Sequence, residues 1–204
     1  MFRDLVLESR RTENLPPGTA APLLAREVIE GRLILKNWDH EVEQWINRVN
    51  GLARWCPELG FQPLTAADRA AIIEQLCAEA TGYKDIKDKP VLPTVKSWVN
   101  PALLPLVDKY APERIALPGG RRAKVTYPPE GDPILAATIQ DLFGLEHAPR
   151  IAMGRVALVV EILAPNRRPV QVTRDLPGFW RDHYPKIKQQ LQRKYPKHPW
   201  PPIP

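Results

Sequence analysis

Apolar residues recur at three- and four-residue steps through the first half of the chain and alternate with polar ones in the second, so the period itself divides it. Leu23, Leu24 and Val28 follow Thr19, whose side chain suits a helix cap, and Gly31 supplies a stop. Val42, Trp45, Ile46, Val49 and Leu52 predict a second helix, capped by Asp39 and ended before Pro57. Thr65 with Asp68 three residues on has the form of a capping box for a third. Its inner face is Ile72, Ile73, Leu76, Cys77 and Ala80, and Gly82 closes it. Asn100-Pro101 opens a short fourth helix reaching Tyr110, with Pro105 as an irregularity. Residues 19–112 are expected to form a small helical bundle.

After Pro112 the period changes. Residues 115–117, 121–127, 134–138, 156–163 and 169–173 read as strands, rich in β-branched side chains and punctuated by Pro or Gly. Gly119-Gly120 fits a hairpin turn between the first two, and Asn166-Arg167-Arg168 a tight connection between the last two. Residues 140–143 are expected to add one helical turn after the third strand. Five short strands interrupted once by a helix suit a small OB-like β barrel or a curled sheet. A basic helix over 182–194 follows, with Tyr184, Ile187, Leu191 and Tyr195 as its apolar stripe, and an extended proline-stiffened tail ends the chain. The fold class is therefore α+β, with a helical subdomain over residues 1–112 and a β-rich domain over 113–204. Residues 3–9 read as one strand, which cannot bury a face alone. They are expected to be the end of a larger β structure, so that the natural polypeptide starts earlier.

Proline, at 24 of 204 residues, favours short elements over long helices. No window reaches the ~18 apolar residues of a membrane span, and the N-terminus lacks a basic stretch followed by an apolar core, so no signal peptide is expected. Cys56 and Cys77 stand far apart and read as small buried side chains, not a disulfide framework. A cytoplasmic location follows from these features. Net charge is +6, from 29 basic and 23 acidic residues. Residues 145–204 hold eleven basic against four acidic, while residues 1–144 nearly balance. That asymmetry points to an anionic partner, nucleic acid or an acidic protein surface, set against the plainer reading of a solvated basic face.

Several chemistries are missing. No G-x-x-x-x-G-K-[ST] loop is present, and Gly119-Gly120-Arg121 reads as a turn, not a phosphate cradle. His40-Glu41 begins like a zinc-protease motif, but Gln44 occupies the second histidine position. There is no C-x-x-C pair and no G-x-S-x-G elbow. No catalytic residue, metal site or cofactor is expected, and the isolated chain is not expected to be an enzyme.

The constellation that remains is basic. Arg167, Arg168, Arg174, Lys186, Lys188, Arg193, Lys194 and Lys197 are the candidate phosphate contacts, because affinity for a polyanion comes largely from counterions that several cations displace together. Trp180, Tyr195 and Trp200 lie beside these charges, as stacking on unpaired bases requires. Tyr195 and Trp180 are read first as packing residues, whereas Trp200, in the proline-rich tail, is kept as a candidate contact. The tail also suits docking along a neighbouring domain as a stiff strap.

Three runs carry a family resemblance: Gly154-Arg155-Val156-Ala157-Leu158-Val159, Leu163-Ala164-Pro165-Asn166-Arg167-Arg168-Pro169-Val170-Gln171-Val172-Thr173-Arg174-Asp175-Leu176 with Gly178-Phe179-Trp180, and Arg193-Lys194-Tyr195-Pro196-Lys197-His198-Pro199-Trp200-Pro201. Together with Leu117-Pro118-Gly119-Gly120-Arg121 and Gln140-Asp141-Leu142-Phe143-Gly144, this ordered series resembles the C-terminal region of the HrpB family of bacterial DEAH-type ATP-dependent helicases. It covers 114–202 closely and 33–112 loosely. The resemblance implies an accessory region that follows ATP-hydrolysing motor domains and works with them. It implies RNA or single-stranded DNA as ligand and the motor domains as partners, with residues 3–9 a remnant of the preceding β domain. Every motor motif is absent from the chain, so the family's ATPase activity does not carry over to it. The alternative within this reading is a scaffold that braces the motor domains with little nucleic-acid contact.

Overall fold

The computed structural model describes Pro16 and residues 18–202; the strand expected over 3–9 lies outside the described residues. In chain order the helices are α1 (Ala21–Ile29), α2 (His40–Trp55), α3 (Ala66–Cys77), α4 (Tyr83–Ile86), α5 (Leu92–Ser97) and α6 (Leu104–Tyr110). The strands are β1 (Arg114–Ala116), β2 (Arg122–Thr126), β3 (Ile134–Thr138), β4 (Arg150–Ile151), β5 (Val156–Ala157), β6 (Val159–Leu163) and β7 (Pro169–Thr173). Two last helices are α7 (Leu176–Gly178) and α8 (Tyr184–Lys194). Contacts sort these into two compact units, one from the residues up to Asp39 with Thr65–Val95, the other from His40–Leu64 with Lys96 onward. The change from helix to strand near Pro112 falls inside the second unit, which takes α2 as well as the strands.

In the first unit α1 packs on α3, burying Leu24 and Ala25 of the one and Ile72, Leu76 and Cys77 of the other. The capping box forms as the sequence predicts: Asp68 N donates to Thr65 Oγ1 at 3.3 Å and Thr65 N to the Asp68 carboxylate at 2.7 Å. The Thr65 hydroxyl also donates to the Asp68 carboxylate at 2.6 Å, and that bond, with the one from Thr65 N, holds the Asp68 carboxyl below its ordinary range. Thr19 does not cap α1; its hydroxyl donates to Pro16 O at 2.8 Å, and Pro22 in the first turn needs no acceptor. Gly82 opens the short, unexpected α4, where Asp85 accepts from Thr81 N and Gly82 N.

In the second unit the apolar stripe of α2 is buried as expected, but so are Asn47 and Arg48 beside it. Arg48 is 1% exposed and fully engaged: Nε donates to Ala111 O at 2.6 Å, one terminal nitrogen to Glu113 at 3.0 Å, the other to Asp108. Gln44 and Asn47 finish the end of β2. Gln44 accepts from Tyr127 N at 2.8 Å, and both amides donate to Tyr127 O, so a helix supplies what a neighbouring strand otherwise would. The Tyr127 ring is buried, its hydroxyl donates to Pro112 O at 2.7 Å, and burial pushes the phenol well above its ordinary value.

The main sheet runs β1-β2-β3-β6-β7, antiparallel except for the parallel pair β3/β6. It is open, with β1 and β7 as edges, so the OB-like barrel does not form. Edges of three and five residues, one opened by Pro169, offer little backbone with which to close. A parallel pair needs a long crossover, and residues 139–158 provide it as a turn and the β4/β5 ribbon. The strand expected over 156–163 breaks at the buried Leu158, whose N–H turns away to Pro149 O. Residues 140–143 form turns, not a helix.

The C-terminal helix begins six residues earlier than its periodicity suggests. Asp175 accepts from Gly178 N at 2.9 Å to start α7, and a π turn over Phe179–His183 leads into α8. Tyr184 is wholly buried, while Ile187, Leu191 and Tyr195 are half-buried along one stripe. The tail is not extended. It turns at Tyr195–His198, Trp200 Nε1 donates to Tyr195 O, and Tyr184 donates to Pro201 O, because a buried hydroxyl needs an acceptor.

Candidate nucleic-acid interface

Two hairpins of the second unit bring several cations together. In the first, Arg114 lies opposite Lys124 and Ala116 opposite Arg122, all exposed, while Ile115 and Ala123 take the other face. Two cations directly across an antiparallel pair repel, at a cost of a few tenths of a kcal/mol. With Arg121 beyond the turn and Arg167 from the β6–β7 turn, they line a cleft of about 500 Å³. Its remaining lining is small and mostly apolar: Leu117, Ala123, Ala136, Ala137, Leu163 and Pro165, with Thr138 and Asp141.

Asp141 is the one carboxylate in this lining. It accepts from Thr138 Oγ1 at 2.6 Å and lies 3.2 Å from the Arg121 guanidinium. Among the described residues, Arg122, Lys124 and Arg167 carry no ion pair. Five cations against one carboxylate form a surface that concentrates anions, and the walls hold no aromatic ring on which a base stacks. A neighbouring pocket of about 310 Å³ shares Arg114 and Lys124 but adds Glu41 and Glu113, so the positive field weakens on that side.

Of the sequence-predicted site residues, only Arg167 lines this cleft. Arg168 is exposed one residue outside it, its N–H on Asn166 Oδ1 at 3.2 Å. Arg174 is paired with Asp132 at 2.7 Å. Lys186, Lys188, Arg193 and Lys194 project from α8 and Lys197 from the tail, apart from the cleft lining. The Lys194 ammonium sits 5.7 Å from the Tyr195 ring centre. Trp200 is half-buried with its N–H occupied. Trp180 is a packing residue: its Nε1 donates to Leu145 O at 2.9 Å, and its ring meets Phe143, Phe179 and Tyr184 at 6.0, 4.9 and 5.5 Å.

The residues missed in the sequence are Arg114, Arg121, Arg122 and Lys124. Their signal was local: four basic residues and no acidic one between 114 and 124, spaced so that a hairpin sets them together. They lie within residues 1–144, where acidic residues elsewhere offset their charge. Elsewhere, burial pushes the Cys56 and Cys77 thiols up, away from thiolate chemistry. Among the described residues, no three His, Cys, Asp or Glu side chains gather as a metal site, and no helix is long and apolar enough to cross a membrane.

Comparison with known proteins agrees over most of the chain. Residues 72–204 match the HrpB_C family model, described as ATP-dependent helicase C-terminal. The ATP-dependent RNA helicase HrpB of Escherichia coli (strain K12) is 32% identical over 173 residues, which is 83% of this chain and 21% of that protein. A crystal structure of the E. coli DExH-box NTPase HrpB superposes with a TM-score of 0.75 at 30% identity, over 82% of this chain and 21% of its own. A second, of the Escherichia coli DEAH/RHA helicase HrpB, gives 0.69 at 26% identity, over 96% and 24%. The chain thus spans about a fifth of the length of these relatives, and with the family model covering well over half of it, it belongs to the C-terminal family of HrpB-type ATP-dependent helicases.

Proposed function

We propose that this chain is an accessory region that holds nucleic acid for HrpB-type motor domains and has no ATP hydrolysis of its own. The observation that supports this most is the cleft, where Arg114, Arg121, Arg122, Lys124 and Arg167 converge with a single opposing carboxylate. Phosphate binding needs several cations on one surface, and like-charged residues set across a hairpin are tolerated where an anion relieves them. The E. coli relative is an RNA helicase, so RNA is the first polymer to test and single-stranded DNA the second. In this reading residues 113–204 carry the contacts in the cytoplasm, with the helical segment 1–112 as support. Arg168, Arg174, Trp200 and the cations of α8 and the tail are a second, weaker contact surface.

The test is a charge reversal, Arg122→Glu with Lys124→Glu, read by fluorescence anisotropy on a labelled single strand at ~100 mM salt. Affinity is expected to fall at least twentyfold, since each lost contact removes about fivefold and each new carboxylate repels. An unchanged affinity removes the cleft from the reading. A scaffold role has its own support in the first unit, where Leu23, Ile29 and Ile34 are 54%, 47% and 68% exposed. Binding of purified motor domains by a charge-reversed chain that no longer holds RNA favours that second reading.

A further inference from the structure

The two hairpins that flank the cleft are closed by the same turn. In the first, Gly120 N donates to Leu117 O at 2.9 Å and Leu117 N to Arg121 O at 2.8 Å. In the second, Arg167 N donates to Ala164 O at 2.8 Å and Ala164 N to Arg168 O at 2.9 Å. Each places proline second, at Pro118 and Pro165, and each needs a left-handed residue fourth, the bulge position of a three-residue hairpin loop. Gly120 meets that need with φ +80° at no steric cost. Arg167 meets it with φ +63°, a conformation in which its Cβ crowds the carbonyl that follows. One chain thus solves the same turn twice, once with the residue the backbone prefers and once with the residue it disfavours.

The difference lies in where the side chain goes. Gly120 contributes nothing to the cleft, whereas Arg167 lines it together with the cations of the β1–β2 hairpin. Among the described residues, Arg167 forms no ion pair that would hold it there for the fold's own sake. Strain retained without a structural return is a mark of a binding position. Resting on the function proposed above, we infer that Arg167 is the anchoring phosphate contact of the cleft, and that the ligand is a single-stranded backbone gripped without base readout. The lining supports the second part. Its uncharged lining is mostly small or aliphatic, Ala136, Ala137, Leu163 and Pro165 among it, with no ring to stack a base, and guanidinium and ammonium groups contact phosphates whatever the sequence.

The inference gives stability and affinity opposite signs at one residue. Arg167→Gly relieves the backbone, so the melting temperature is expected to hold or rise by up to about 3 °C. The same variant is expected to bind a fluorescein-labelled 12-mer of U or of A about fivefold more weakly at ~100 mM salt, equally for both, because one phosphate contact on a single strand carries about 0.7 of a decade per decade of salt. Arg167→Lys keeps a cation and is expected to bind within twofold of the parent. Lys109→Ala, an equal charge lost from an exposed position outside both the cleft and the second contact surface, is expected to change affinity less than twofold. A melting temperature lowered by more than about 2 °C in Arg167→Gly makes Arg167 a structural residue and overturns the inference. Parent-like binding by Arg167→Gly overturns it while leaving the cleft in place. Loss of U binding alone means base readout, and competition by poly-glutamate as strong as by RNA means an acidic protein ligand; either result overturns it. If the parent chain binds no 12-mer at all, the nucleic-acid reading falls and the inference with it.

Discussion

Arg48 offers the sharpest test of how the second unit is held, because its environment is lopsided. The guanidinium is 1% exposed, while the carboxylates that neutralise it, Asp108 and Glu113, are 78% and 65% exposed. Removing one side or the other of this cluster therefore has unequal consequences. Asp108→Ala with Glu113→Ala leaves a buried cation with Ala111 O as its one remaining acceptor. Uncompensated buried charge costs about 3–5 kcal/mol, and the surface position of the lost carboxylates lets some water in, so about 3 kcal/mol is expected. Arg48→Met removes the charge and keeps most of the aliphatic stem. It returns two exposed carboxylates to water at little cost and strands one carbonyl, for about 1–3 kcal/mol. The triple variant, with no charge left to strand, is expected to resemble Arg48→Met and not the sum of the two. Urea unfolding followed by tryptophan fluorescence reads this unit, since five of the six tryptophans belong to it. A double-alanine variant costing less than 1 kcal/mol, or additive losses in the triple variant, would refute the reasoning.

Other consequences are more local. Thr65→Ala removes an acceptor from the first turn of α3 and is expected to cost about 1 kcal/mol, seen as faster amide exchange there. The Asp68 and Asp85 carboxyls lie below their ordinary range, Asp68 through its bonds with Thr65 and Asp85 through those with Thr81 and Gly82. Their stabilisation is complete above the unfolded value near 3.9 and is lost as pH falls through the lower folded values, so acid loosening of the first unit is expected below about pH 4. Asp68→Asn with Asp85→Asn flattens that pH dependence. Trp180→Phe strands Leu145 O and is expected to cost about 1–2 kcal/mol without altering oligonucleotide affinity; weakened binding in a folded variant would assign the ring to bases. Cys56 and Cys77 are expected to resist a thiol reagent at neutral pH until the chain unfolds, as titration against urea would show.

The legible parts of the fold are those fixed by local chemistry. The stripe of α2, the Thr65–Asp68 box, and strands β3 and β7 follow from spacing and capping residues alone, within a few neighbours in sequence. What escaped depends on distant pairing. The open sheet arises from β3 lying parallel to β6, and no local pattern distinguishes that from closure into a barrel. Leu158 breaks a continuous β-branched run because its neighbours serve two different sheets, which only the partners β4, β3 and β7 decide. Arg48 reads as a polar residue on a helix, and its burial depends on Asp108 and Glu113, sixty or more residues away. Site residues followed the same rule. Arg167 stood out as part of a basic turn, but the side it faces is set by the β1–β2 hairpin, whose cations were hidden in a segment of balanced charge.

The most direct measurement is the salt dependence of single-stranded RNA binding by the intact chain between ~50 and 200 mM. Five cations, one of them shared with Asp141, correspond to about four effective phosphate contacts and a log–log slope near −3. Replacing Arg114, Arg122, Lys124 and Arg167 with Gln is expected to bring that slope to about −1 or shallower, the remainder coming from Arg121 and the second, weaker surface. Binding that ignores salt, or a slope that survives loss of these four residues, would contradict the cleft as the place where nucleic acid is held.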